Sequence, residues 1–365
     1  MLASAPGRIN LLGEHTDYNG GLVLPIAIQR RTFVAASPAG DWQAISANEP
    51  LVRSFDPSAA RPGDWTRYPW GVARVLASAG VHLPGARIGV ASAVPVGAGL
   101  SSSAALTLAT AKALALLAGR KLSTSDLAEA AWRAEHDEVG VRCGRMDQTI
   151  GALAVPGTAL LIETGGGQVE QVPFRETVWV LETGVFHELG TSPYHQRRRE
   201  CEEALAFCRD QGLRINGLAE LTPQDLPELL QVLPPPLSAR VRHVVTETER
   251  TREAARALAR GDLDQLGQLM VAGHHSLRDD YQSSCAEADL LVEAAMRHGA
   301  RGARLTGAGW GGAVIALLPR GRESRIVAEV GEEFREATGR PLVAWSTRAG
   351  GGVRRESVDL GLSGT

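Results

Sequence analysis

Val94-Pro95-Val96-Gly97-Ala98-Gly99-Leu100-Ser101-Ser102-Ser103-Ala104-Ala105-Leu106 is the stretch from which the fold can be read. It leaves an alternating segment, Ala86 to Val94, turns through glycines and serines, and enters an alanine- and leucine-rich run that ends at Gly119. Alternation predicts a strand and the run predicts a helix over 103–118, so the order is strand, loop, helix. Such a junction can hold an anion. Glycines let the backbone approach closely, the first helical amides lack partners, and the helix dipole favours negative charge. Gly97, Gly99, Leu100, Ser101, Ser102 and Ser103 are the candidate ligands. Taken alone, the stretch is equally a serine-capped helix after a tight turn. The chain's lysines, Lys112 and Lys121, lie outside the loop and no G-x-x-x-x-G-K-S/T occurs, which excludes a Walker A site.

Upstream, the first fifty residues alternate short apolar runs with turn formers and read as strands and hairpins, followed by a helix over 69–80. Downstream, the pattern predicts a helix over 126–136, strands at 152–162 and 178–183, and helices at 194–210, 237–258, 263–276 and 286–298. Strands at 314–318 and 342–346 flank a last helix over 323–338. With 365 residues, two domains are expected on a prior of about 150 residues each, 1–175 and 176–348, with a Gly-rich, frayed tail at 349–365.

Composition narrows the class of function. Hydrophobic residues are 44% and charged residues 22%, as in an ordinary globular protein rather than a disordered one. The formal charge of −3 supplies no global basic field, so no nucleic-acid partner is expected and any anion site must be local. Cys143, Cys201, Cys208 and Cys285 form no C-x-x-C pair and are expected to be reduced thiols. Apolar runs fall short of the roughly 18 to 20 residues that span a bilayer, and no secretory signal pattern opens the chain, so a cytoplasmic protein without a membrane partner is expected.

Three further clusters carry polar chemistry. Gly7-Arg8-Ile9-Asn10-Leu11-Leu12-Gly13-Glu14-His15-Thr16-Asp17 packs Arg8, Glu14, His15 and Asp17 among glycines, a set that suits several hydroxyls of a polyol and is equally a hydrophilic turn. A helix end at Glu135 leads to Cys143-Gly144-Arg145-Met146-Asp147-Gln148, where burial would raise the Asp147 pKa and a nearby arginine would lower it. A lone Asp is more commonly a solvated or capping residue. Leu305-Thr306-Gly307-Ala308-Gly309-Trp310-Gly311-Gly312 is a second glycine-rich loop that implies close backbone approach. His274 and His275, adjacent on a helix, point about 100 degrees apart and read as one packing and one polar histidine rather than a metal pair.

Taken in order, these segments resemble the galactokinase family of the GHMP kinases from about Ala5 to about Arg348. GRINLLGEHTDYNGG is similar to its galactose signature, VPVGAGLSSSAAL to its ATP-phosphate loop, CGRMDQ to its catalytic-Asp segment and LTGAGWGGAVIAL to its third motif; GHHSLRDDYQSSC and YHQRRRECEE add agreement. The resemblance implies an α+β, two-domain GHMP kinase fold, with an N-terminal ribosomal-protein-S5-like α/β domain and a C-terminal α+β domain. It also implies ATP-dependent phosphorylation of a monosaccharide, galactose, at its anomeric hydroxyl. Asp147 would be the base and Arg8 its neighbour; Ser103 and Glu135 would hold magnesium on the ATP phosphates. Glu14, His15, Asp17, Gly144 and Tyr194 would meet the sugar, Trp65 would stack near adenine, and a monomer is expected.

Four features depart from the family pattern: Arg145 and Arg142 beside Gly144, the run Glu163-Thr164-Gly165-Gly166-Gly167, Trp310 in place of the commoner Phe, and the lack of a helical extension before the signature. They leave room for a related kinase of galacturonate, arabinose or N-acetylgalactosamine. A pocket-facing Arg145 would favour galacturonate by pairing with its carboxylate. A regulator that binds sugar and ATP without transferring phosphate is the alternative of another class.

Overall fold

The structure is a computed structural model that describes residues 1–185 and 193–357. It begins with strands β1 (Leu2–Asn10), β2 (Leu22–Val23), β3 (Pro25–Pro38), β4 (Trp42–Ser46) and β5 (Glu49–Ser54). Helix α1 (Arg67–Ser78), β6 (Ala86–Ser92), α2 (Ser102–Leu117), α3 (Thr124–Arg133) and α4 (Met146–Leu153) follow. Strands β7 (Thr158–Glu163), β8 (Val169–Pro173) and β9 (Val178–Glu182) precede helices α5 (Pro193–Asp210), α6 (Leu226–Val232), α7 (Leu237–Ala259), α8 (Leu263–Ser276) and α9 (Ala286–Arg297). The last elements are β10 (Gly302–Thr306), β11 (Ala313–Leu317), α10 (Glu323–Thr338), β12 (Val343–Thr347) and β13 (Arg354–Arg355).

Among the described residues, one sheet has the order β13-β1-β3-β6-β4-β5, a second β10-β11-β9-β12 and a third β2-β7-β8. In the first, β4 runs parallel to β6 and the other pairs are antiparallel. Its burial alternates as a one-sided sheet requires: Val34 and Ala36 of β3 are buried while Phe33, Ala35 and Ser37 are exposed. The buried face packs on α2, whose alanines and leucines are apolar nearly all round because α1 and α3 cover its other sides. That sandwich fixes the position of the N-terminus of α2.

α3 starts at a capping box, with Ser123 and Asp126 each holding the other's backbone amide, and runs on as a π-helical turn over Ala134–Val139 that ends at Gly140. π-turns of this kind are often found at functional sites, and this one carries Glu135. The expected strand over 152–162 is shorter. Met146, Ile150 and Leu153 repeat at helical spacing and form α4, and only after the Pro156-Gly157 turn does β7 begin.

The expected join near 175 falls between β8 and β9, which belong to different sheets. A shared core nevertheless crosses it: Ile9, Leu12 and Ile26 pack in one cluster with Val180, Met270 and Ile315. The expectation of a tail frayed from 349 is corrected. Gly350 N donates 2.8 Å to Ala27 O, Val353 N donates 2.8 Å to Gly151 O, and β13 pairs with β1 through Ala3 and Arg355. Backbone hydrogen bonds hold this segment, and they leave no apolar pattern in the sequence; residues 358–365 lie outside the described residues. No helix among the described residues is long and apolar enough to cross a membrane.

Candidate active site

The two glycine-rich loops meet backbone to backbone at the head of α2. A Cβ on Gly307, whose φ is +86°, would lie 2.6 Å from Gly99 O, so a side chain there would push the loops apart. Ser101 holds a left-handed conformation, φ 60°, at the entry to α2, and the first helical amide bond is Ala105 N to Ser101 O. The amides of residues 102–104 therefore face outward without helical acceptors, and no side chain caps them. The buried Ser101 Oγ also lacks a protein partner. These are the donors that a phosphate would fill.

Arg8 comes from β1 and links this loop to α4. Its amide donates 3.1 Å to Leu100 O, its Nη1 donates to Gly99 O, and its fork grips Asp147 with Nε–Oδ1 at 2.8 Å and Nη2–Oδ2 at 3.2 Å. Asp147 is the second residue of α4, where free amides favour a negative charge, and its side chain keeps 25% exposure at the cleft. Asp17 approaches from the signature segment. Burial, and then the Asp147 charge, push its carboxyl up to about 6. Its carboxylate lies so close to Gly144 that a Cβ there would stand 1.8 Å from Asp17 Oδ2. Tyr194, at the start of α5, closes the same corner with its ring 5.8 Å from that of His15.

His15 is buried and both its ring nitrogens are taken. Nε2 lies 3.0 Å from Ala308 O, which can only accept, so the proton sits there and Nδ1 accepts from the Tyr18 hydroxyl at 2.8 Å. Burial lowers its pKa to about 3, keeping it neutral. His15 thus forms a wall with its ring and offers no free nitrogen to a hydroxyl. Glu14 is also committed: Oε1 accepts from Gly307 N at 3.0 Å and Oε2 from Arg304 Nη2 at 2.9 Å. Arg304 in turn reaches Glu247 Oε1 at 2.8 Å, and the same oxygen accepts from Gly13 N at 2.9 Å.

Glu135 is fully buried, accepts from Thr107 Oγ1 at 3.0 Å and Gln148 Nε2 at 2.9 Å, and has Ser103 in hydrogen-bonding reach. Burial pushes it up to about 7, and among the described residues no basic side chain pairs with it. A buried carboxylate beside a hydroxyl, lacking a counter-ion, fits a hard divalent cation that takes its remaining ligands from phosphate and water. Trp65 precedes α1, half-buried against the core, with its Nε1 unpartnered.

Sequence reasoning missed Arg304, Glu247, Tyr18 and Tyr281, whose hydroxyl lies 2.7 Å from that of Tyr18 and whose ring stacks on His15 with centroids 4.4 Å apart. A charge inside the otherwise apolar β10 was a usable signal for Arg304; Glu247 sits in a polar run of α7 and gave none. Arg145 is exposed: its Nη1 bonds Glu129 and its guanidinium stacks 3.8 Å over Trp132. It is not placed to meet a sugar carboxylate. His274 is buried with Nε2 3.1 Å from Asp289, and His275 is exposed.

Comparison with known proteins identifies the family. Residues 1–38 match the galactokinase galactose-binding signature, 67–154 the GHMP kinases N terminal domain and 254–336 the GHMP kinases C terminal domain. The galactokinase of Chloroflexus aurantiacus is 43% identical over 361 residues, 96% of this chain and 92% of that protein. The chain belongs to the galactokinase family. The Bos taurus galactokinase is 41% identical over 351 residues, 92% of this chain and 88% of that protein. A crystal structure of Lactococcus lactis galactokinase complexed with galactose superimposes with a TM-score of 0.91 at 31% identity, covering 97% of this chain and 95% of that one. A mevalonate kinase, at TM-score 0.72 and 17% identity, shares the fold alone. As a galactokinase-family member, the chain is an ATP-dependent sugar kinase.

Proposed function

We propose that this chain transfers the γ-phosphoryl group of ATP to the anomeric hydroxyl of D-galactose, releasing galactose 1-phosphate and ADP. The observation that carries this reading is the Arg8–Asp147 fork, which puts a carboxylate beside the phosphate loop and next to Asp17. Asp147 Oδ takes the anomeric proton as that oxygen attacks phosphorus, while Arg8 keeps the carboxylate oriented and offsets charge growing on the transferring group. Phosphoryl transfer needs little covalent help, so holding the reactants in line supplies most of the rate.

Asp17, the Gly144 backbone and Tyr194 meet the sugar hydroxyls; Glu14 and His15 shape the wall behind them. The amides of residues 102–104, the Gly97 and Gly99 turn, Leu100 and the Ser101 hydroxyl hold the ATP phosphates, with adenine near Trp65. Ser103 and Glu135 hold magnesium, which when bound neutralises phosphate charge. The reading includes a monomeric, cytoplasmic enzyme. A sugar panel with ATP and magnesium, followed by phosphorus NMR of the product, tests it: galactose 1-phosphate is expected. Turnover on another sugar and none on galactose would overturn the substrate, and bound sugar and ATP without turnover would leave a regulator.

A further inference from the structure

The loop that leads into Asp147 is held from the other half of the chain. Tyr194 and Arg198 stand one turn apart on α5 and share a face. Arg198 Nη1 donates 2.7 Å to the carbonyl of Arg142, two residues before Gly144 and 56 residues away in sequence. Its Nε is steadied by Glu202 at 3.2 Å, and its guanidinium carbon lies 5.6 Å from the Tyr18 ring centroid. An exposed i,i+4 arginine–glutamate pair would need neither the distant carbonyl nor the tyrosine face, and the Arg198 side chain is only 21% exposed.

We infer that Arg198 is a positioning residue for the sugar: it latches the loop over residues 140–145 across the cleft and supplies a cation to the Asp17–Asp147 corner. This rests on the reading of Asp17 and Gly144 as sugar contacts. The latch matters because Gly144 abuts Asp17 with no room to spare, so a small drift of the loop moves both groups. The cation matters because two carboxylates share the corner. Asp17 faces Asp147 from α4, Arg8 from β1 and Arg198 from α5, and both arginines lower its pKa against burial and the Asp147 charge. Arg198 acts in the same direction on Tyr194.

The test compares the full-length wild type with Arg198→Gln, which removes the charge, and Arg198→Lys, which keeps it. Steady-state kinetics from pH 5 to 8 are read alongside calorimetric galactose binding without nucleotide. Arg198→Gln is expected to lower kcat/KM for galactose about tenfold while KM for ATP stays within about twofold, since the displacement acts on the sugar side. It should also move the acid limb of kcat/KM for galactose to higher pH, because a carboxylate that loses a nearby cation ionises later. Arg198→Lys should keep the limb in place.

A merely structural role would lower the galactose and ATP parameters together and leave the limb of Arg198→Gln where it was. Either result, or galactose binding unchanged in both variants, overturns the inference. Arg198→Lys keeps the question open to measurement if Arg198→Gln melts early. Failure of the substrate reading shows separately, as a wild type that neither binds nor phosphorylates galactose; the same comparison then runs on the sugar it does accept.

Discussion

Arg8–Asp147 and Arg304–Glu14 are both arginine–carboxylate pairs rooted in the first seventeen residues, and they do different work. The first is bidentate at the cleft, and Asp147 keeps a quarter of its side chain exposed. The second is sealed, with 0% and 1% side-chain exposure, and continues through Glu247 to Arg250. Two anions meet two cations in that sealed cluster, and Gly13 N and Gly307 N donate into it as well. The sealed pair orders the signature segment against α7 and β10; the open pair, in the proposed reading, presents a base to a reactant. Exposure of the carboxylate, rather than residue type, separates these two pairs.

Breaking the open pair should cost catalysis and little else. Asp147→Asn is expected to bind galactose in calorimetry and to lose turnover by about a hundred- to ten-thousand-fold, the usual contribution of a general base. Near-normal turnover would remove Asp147 from proton transfer. Arg8→Lys should also lose turnover substantially, because lysine keeps the charge without the planar fork, and its melting curve should barely move.

The sealed pair should fail in the opposite way. Arg304→Met leaves Glu14 with no paired cation and Glu247 with Arg250 alone in a dry site, which should cost about 3–5 kcal/mol of stability in urea unfolding. A variant that unfolds at the wild-type midpoint would show the cluster to be dispensable. Glu135, a buried carboxylate that stays at the active site, sits between these extremes. Glu135→Ala and Ser103→Ala should raise the magnesium needed for half-maximal rate about tenfold or more and leave galactose binding without nucleotide unchanged. An equal loss of galactose binding would place both residues on the sugar side.

Asp17 and Glu135 make the comparison pH-dependent. Their carboxyls are raised to about 6 and about 7, with burial the largest cause in each. The sign for stability follows: folding is favoured by their protonated forms, so this contribution is complete below the ordinary carboxylate pKa near 4 and is lost as pH rises through 6 to 7. Activity needs the ionised forms and rises over the same window. A pH series of melts and of kcat/KM should therefore show opposite trends from 5 to 7. Parallel trends would mean that neither carboxylate titrates in the working site.

Legibility from sequence divides along a similar line. The helix expected over 263–276 is found at Leu263–Ser276, and its start is chemically marked: Asp262 accepts from Gln265 N at 3.0 Å, and Gly261 turns left-handed just before it. The helix over 323–338 likewise ends at a left-handed Gly339. α6 was missed because seven residues after Pro223 carry too little periodicity, and β13 because backbone hydrogen bonds hold it in place. Asp147 and Arg8 come together as the family resemblance implied. Arg304 and Glu247 meet across 57 residues, and no local pattern encodes such a pairing.

The smallest effect belongs to Arg145, which sits two residues before Asp147. Its guanidinium bonds Glu129 and lies on Trp132, so both its partners are on α3, and His136 of the π-turn stacks 4.5 Å away on the same indole. Arg145→Ile removes an exposed ion pair worth about 0.2–1 kcal/mol and a surface cation–π contact worth about 0.5–1 kcal/mol, a loss visible only as a small drop in melting temperature. The ratio of kcat/KM for galactose to that for galacturonate should stay within about twofold of wild type, because no transition-state contact is lost. A shift of tenfold or more would mean that the arginine leaves Trp132 to meet the sugar, and the open corner of the site would then extend beyond Asp17, Asp147 and Gly144 to this side of the loop.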